Sequence, residues 1–171
     1  ITALLKKLGI YQKTLMFFTS DNGAAKRFDG IHNSSGVMQG KKRSLNEGGI
    51  RVPMVVRWPG KIKAGRVSSH PWYFPDVMPT FAEIVGVSAE VPEDIDGISI
   101  LPTLLDRGVQ KQHEYMFWHY GVRAVRSGKW KGIGKGGHLY LYDLSEDIEE
   151  KNDLSSNCLL YTSPSPRDLQ G

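Results

Sequence analysis

Cysteine is almost absent: Cys158 is the only one in 171 residues. A single thiol cannot form a disulfide within the chain. No apolar run approaches the roughly 18 residues that a membrane-crossing helix needs, and no amino-terminal signal peptide is visible. No block of about five or more like charges occurs, which argues against an acidic or basic tail. There are no internal repeats. The charge excess is small, a net +4 with 23% charged residues. Gly40-Lys41-Lys42-Arg43 is the densest basic spot. It is too short to argue for nucleic acid, and mild basicity equally suits an anionic small substrate. Length and a 40% hydrophobic content fit one globular domain, or a piece of a larger one.

Both ends read as cut. The chain opens at Ile1 without methionine, in what reads as the end of a helix running to Tyr11, with Leu4, Leu5, Leu8 and Ile10 at helical spacing and Gly9 near its stop. At the other end, Cys158 to Gly171 breaks abruptly with what precedes it. Back-translation of Cys158 to Asp168 resembles a transposase-type sequencing adapter, so this tail reads as non-native and its cysteine says nothing about redox compartment.

Between these ends lies an ordered pattern. Thr14 to Thr19 is a continuously apolar, β-prone run, of the kind buried on both faces of a parallel sheet. It stops at Asp21-Asn22-Gly23 and opens a long polar loop to Gly40. Met54 to Trp58 reads as a second strand, closed by Pro59-Gly60. Asp76 is placed to cap a helix from Val77 to about Val85, with Gly86 as its stop and Met78, Phe81, Ala82 and Val85 on its apolar face. Beyond about Gly97 the texture changes. Tyr115–Tyr120, Arg123–Ser127, Trp130–Ile133 and Leu139–Asp143 are short aromatic-bearing segments separated by glycines, the pattern of successive antiparallel strands. Asp147 to Leu154 is acidic and reads as the start of a terminal helix. Trp58 and Trp130 read as core.

Asp21-Asn22-Gly23 has two readings. Asn-Gly favours tight turns by tolerating positive φ. Alternatively, ligands gather outside the carboxyl ends of strands in open α/β sheets. There a carboxylate and an amide oxygen suit a hard cation such as Ca²⁺ or Mg²⁺ better than zinc. Gly40 to Pro53 is a cationic loop followed by a Gly-Gly bend and a strand. Lysine in such a loop can bind an anionic ester and stabilise charge on a leaving oxygen, or be merely solvated.

Phe18-Thr19-Ser20-Asp21-Asn22-Gly23, then Gly40-Lys41-Lys42-Arg43-Ser44-Leu45-Asn46-Glu47-Gly48-Gly49-Ile50-Arg51-Val52-Pro53, resembles the second half of a sulfatase catalytic domain. Asp76 to Gly86, Asp96 to Leu105 and Leu141 to Leu154 follow that family's order and spacing, so the resemblance covers about Leu4 to Ser155. The D-N-G-A-A opening and the Ser34-Ser35-Gly36 that precedes the lysines are similar to the arylsulfatase A and N-acetylgalactosamine-6-sulfatase branch. The resemblance implies an α/β, alkaline-phosphatase-like fold, partly represented, followed by a small antiparallel subdomain. It assigns residues 1–105 to the catalytic domain and 106–157 to the small sheet with a terminal helix, and the adapter-like reading sets 158–171 apart as the non-native tail. It implies one Ca²⁺ with Asp21 and Asn22 among its ligands, and Lys42 on the sulfate and leaving oxygen as catalytic and substrate-binding residue. Lys41 and Arg43 would be solvated or substrate-facing. Glu47, Gly48, Gly49 and Arg51 would be supporting structure.

The family's nucleophile is a formylglycine made from C/S-x-P-x-R, and this chain contains no such motif. The nearest string, Ser163-Pro164-Ser165-Pro166-Arg167, has serine where proline is required. The chain alone is therefore expected to be inactive. The implied partner is a sulfated small molecule or glycan, with no nucleic acid and no membrane span, in a periplasmic, secreted or lysosomal setting. His32 and Asn33 are candidate substrate contacts in the long loop. His70, and Trp118, His119 and Tyr120, could line a sugar pocket or simply pack. Two rival readings are a phosphoesterase of the same superfold, where a histidine would be expected in place of Asn22, and a non-catalytic carbohydrate-binding relative.

Overall fold

The computed structural model describes residues 1–28 and 31–157. The chain forms two compact units, each built from two separated segments. The non-native tail assigned from the sequence lies outside the described residues.

The first unit takes Ile1–Asp21 and Val52–Met116. Helix α1, Thr2–Lys7, ends just before Gly9, which takes φ +69°. Strand β1, Met16–Thr19, pairs with strand β2, Met54–Arg57. The pairing is antiparallel, with Phe17 opposite Val56 and Phe18 opposite Val55. The one described neighbour of β1 thus runs antiparallel, not parallel as expected, and within this chain Phe18 is 76% exposed. Apolar content reports what a strand is built to bury, not the sense in which it pairs. Among the described residues β1 has only β2 beside it.

Helix α3, Val77–Val85, has the predicted bounds and stops at Gly86 with φ +82°. It follows α2, the short helix Glu47–Ile50 of the second unit. Asp76 anchors its start differently from a conventional cap. The carboxylate accepts the Tyr73 N–H at 3.0 Å and the Ile98 N–H at 2.8 Å, and meets His113 Nε2 at 2.8 Å. The Asp76 carbonyl accepts the Thr80 hydroxyl at 2.6 Å, and that hydroxyl accepts the Ile100 N–H. Thr80 and Ala82 therefore form the buried face of α3. Met78, Phe81 and Val85 stay largely exposed, although Phe81 meets Phe17 edge-on at 5.6 Å. Of the expected apolar face only Ala82 is buried, and a polar knot at Asp76 and Thr80 docks the helix beside it. Helix α4, Leu101–Leu105, is held by Arg66, which donates to the carbonyls of Thr103 and Leu104 and pairs with Asp106.

The second unit takes Asn22–Arg51 and the chain from Phe117 onward. Its sheet runs in the order β3, β4, β5, β6, over Met116–His119, Arg123–Ser127, Trp130–Lys135 and His138–Asp143. β4 with β5 and β5 with β6 are antiparallel, as the glycine-punctuated segments predict. Gly136 and Gly137, both at positive φ, make the last hairpin possible. Ala124, Ile133 and Tyr142 join Leu45 and Leu144 in the core, with Trp118 packed against it.

Two expectations fail here for clear reasons. Trp130 is 41% exposed, with the Lys129 ammonium 4.8 Å from its ring. Side chains alternate along a strand, so sending Lys131 and Ile133 inward sends Trp130 outward. Asp147 to Leu154 forms turns and not a helix, followed by a 3₁₀ turn over Ser155–Asn157. Its acids are used as acceptors: Asp147 takes the Asn152 N–H, and Asp153 takes the N–H of Leu141 and of Ser155. Among the described residues no helix is long and apolar enough to cross a membrane.

Candidate functional site

Two backbone hydrogen bonds bring sequence-distant motifs together within the second unit. The Gly23 N–H donates to the Gly49 carbonyl at 2.8 Å, and the Lys42 N–H donates to the Ala24 carbonyl at 2.9 Å. The lysine loop therefore lies along the turn that begins at Asn22. Such close backbone approach needs glycine. A Cβ on Gly23 would sit 1.9 Å from the Gly48 carbonyl oxygen, one on Gly48 would sit 2.4 Å from that of Gly40, and one on Gly49 would sit 2.1 Å from that of Ser44. From the sequence, Gly23 is a sharp exit and Gly48-Gly49 a bend. The structure gives a further reason: backbone packs on backbone there.

The predicted site residues fall in both units. Lys42 is exposed and Lys41 half-buried. Arg43 takes φ +77° at the loop's tip. Asp21 is exposed at the end of β1, and Asn22 is half-buried. His32 is exposed, its ring 6.2 Å from that of Phe28. An open hollow of about 380 Å³ lies beside the loop, lined by Phe28, Asn33, Ser35, Met38 and Lys41 among others. Asn33 lines it, whereas His32 and Lys42 do not. His70 is half-buried in the first unit, and burial holds its imidazole below the ordinary value against the opposing pull of Asp76. Trp118 packs on the core, while His119 and Tyr120 are exposed.

The support beneath the lysine loop escapes sequence reasoning in part. Glu47, read as structural, is 2% exposed. Its carboxylate accepts a hydrogen bond from Lys131 Nζ at 2.8 Å, and Arg51 lies 3.6 Å away on the following turn. Lys131 is fully buried and stands 2.8 Å from Glu150 as well. That second approach is an ion-pair contact and not a directed hydrogen bond. Lys131 and Glu150 are the residues the sequence reading missed. One signal existed: Lys131 shares the inward register of Ile133, and a lysine there requires a buried partner.

Asp21 and Asn22 offer one charged and one neutral oxygen, a donor pair that suits a hard cation. The pair falls short of the roughly six to eight oxygens that Ca²⁺ takes. Among the described residues no three of His, Cys, Asp and Glu gather to complete a set. The residues present fit part of such a site.

A family profile described as N-sulphoglucosamine sulphohydrolase, C-terminal, matches residues 39–161. Mouse steryl-sulfatase is 39% identical over 137 residues, 76% of this chain and 22% of that protein. Mouse N-acetylgalactosamine-6-sulfatase is 35% identical over 155 residues, 90% of this chain and 29% of that protein. The solved chain Ps i-CgsB, in complex with k-i-k-neocarrahexaose, superposes with a TM-score of 0.74 at 34% identity, over 91% of this chain and 35% of that one. This chain thus spans about a quarter of the length of these curated relatives and about a third of the solved chain. The profile covers most of the chain, through the lysine loop, the buried Glu47, Lys131 and Glu150 and the antiparallel sheet, and the chain belongs to the sulfatase family, matching its carboxyl-terminal region.

Proposed function

We propose that this chain is part of a sulfuric ester hydrolase that removes sulfate from a sulfated carbohydrate or aryl ester. In this reading residues 1–105 belong to the catalytic α/β domain and 106–157 to the small antiparallel subdomain. The enzyme works in an exported or lysosomal setting. The observation that supports it is the pair of backbone bonds, Lys42 to Ala24 and Gly23 to Gly49, which lay the cationic loop along the Asp-Asn-Gly turn. Lys42 places an ammonium where a sulfate ester can be bound, and it holds negative charge on the leaving oxygen. Asp21 and Asn22 would be two oxygen ligands of a Ca²⁺ ion, which would supply positive charge to the sulfate oxygens. The names of the relatives and the neocarrahexaose in the solved complex favour a sterol, sugar or other ring-bearing sulfate ester.

The test uses the longer enzyme that contains this chain, assayed on an aryl sulfate. Lys42→Ala is expected to lower kcat/KM by about 100-fold or more, the loss typical when one charge-stabilising donor is removed. Turnover equal to wild type would overturn the role given to Lys42.

A further inference from the structure

Glu150 is held in an unusual way. It is a non-glycine residue in the left-handed region, at φ +53°, and only 2% exposed. Such a conformation persists where surrounding contacts over-determine it. Those contacts converge on the lysine loop from both sides. One carboxylate oxygen of Glu150 accepts the Glu47 N–H at 2.7 Å, at the loop's carboxyl end. The Glu150 carbonyl accepts the Gln39 side-chain N–H at 3.0 Å, at the loop's amino end. The ends are also bound to each other, Gly48 N–H to the Gln39 carbonyl at 2.6 Å. Behind this arrangement Lys131 pairs with both Glu47 and Glu150 in the interior, and Arg51 lies 3.6 Å from Glu47.

We propose that Glu150, with Lys131 behind it, is a positioning residue that fixes both ends of the loop from Gln39 to Glu47 and so sets where the Lys42 ammonium stands. This rests on the sulfate-binding reading of Lys42. Glu150 touches no substrate and acts through the loop. A residue that merely added stability would slow opening of the whole unit. A positioning residue controls the loop selectively.

The experiment is residue-resolved amide hydrogen exchange on the full 171-residue chain, comparing wild type with Glu150→Ala and Gln39→Ala. Gln39 is surface-exposed, so its variant leaves the buried ion pairs intact and folds even if the first variant does not. Exchange at Lys42 and Gly48 is expected to quicken by about tenfold or more, as loss of such a hydrogen bond implies. Amides of the β5–β6 ladder should keep their wild-type rates. Equal acceleration in loop and ladder, or an unchanged loop in both variants, would overturn the proposal. A parallel titration with sodium sulfate at matched ionic strength, followed at the Lys42 amide, separates the two readings. A wild-type chain that ignores sulfate removes the sulfate assignment of Lys42, while the exchange rates still decide whether Glu150 holds the loop.

Discussion

Gly48 lies among the carbonyl oxygens of Met38, Gln39 and Gly40, all closer than 3 Å to where a Cβ would stand. None of these is a flexible side-chain end, so none can yield cheaply. Gly48→Ala is expected to destabilise the second unit by at least about 1–3 kcal/mol, the usual cost of overpacking. Gly134 is the control. Its nearest neighbour to an added Cβ is the Arg123 carbonyl oxygen at 4.0 Å, and Gly134→Ala should change stability by no more than about 0.5 kcal/mol. Denaturant unfolding of both variants checks the contrast. Asp143 supplies a pH dependence. A hydrogen bond from Lys129, then one from Ser145, hold its carboxyl at about 2. An unfolded carboxyl titrates near about 3.9, so as pH falls the unfolded chain takes up the proton first. The contribution is fully present above about pH 4 and is lost as pH falls through about 2. Acid titration of stability should therefore show a steeper fall in wild type than in Asp143→Asn. Asp153, held low chiefly by His138 and then by the Leu141 N–H, adds to the same slope.

At the scale of elements, α3 shows how a correct boundary can coexist with an apolar face of which only Ala82 is buried. Asp76 and Gly86 mark its ends in the sequence because both act locally, within a turn of the helix. The docking surface is non-local. Asp76 reaches Ile98 and His113, and Thr80 reaches Ile100. Asp76→Ala is expected to cost at least about 1–3 kcal/mol, the penalty of leaving buried donors such as the Tyr73 and Ile98 N–H groups without an acceptor. Circular dichroism during thermal unfolding should show the loss, and Thr80→Val should cost less because it spares the contacts of the Asp76 carboxylate. The sheet from β3 to β6 was legible because glycine-separated aromatic segments pair with their neighbours in sequence. The pairing of β1 with β2 was not, because 34 residues (20 to 53) separate the strands. The inward lysine of β5 was legible only in principle, since its partners Glu47 and Glu150 lie 84 and 19 positions away.

For the whole molecule, the two units alternate along the chain, each assembled from two stretches that are separated in sequence by a stretch of the other. The chain has Asp21, Asn22 and Lys42 but no C/S-x-P-x-R. The 171-residue chain by itself is therefore expected to show no turnover of an aryl sulfate above background, even with Ca²⁺ added. A steady-state assay at high protein concentration checks this, and measurable turnover would mean that another group here serves as nucleophile.

What the sequence determined by itself is local or ordered along the chain: the ends of α3, the hairpin sheet, the glycines of the lysine loop, and a succession of motifs specific enough to identify a sulfatase. These follow from backbone preferences and residue order, which need no knowledge of what lies across the fold. Tertiary structure alone decided the burial of Lys131, the left-handed Glu150 that grips both ends of the lysine loop, and the exposure of Trp130 and Phe18. Each of these depends on which distant group arrives to pair a charge or cover a face. Desolvating a lysine is tolerable only once two carboxylates have been brought to it, and no stretch of neighbouring residues carries that information.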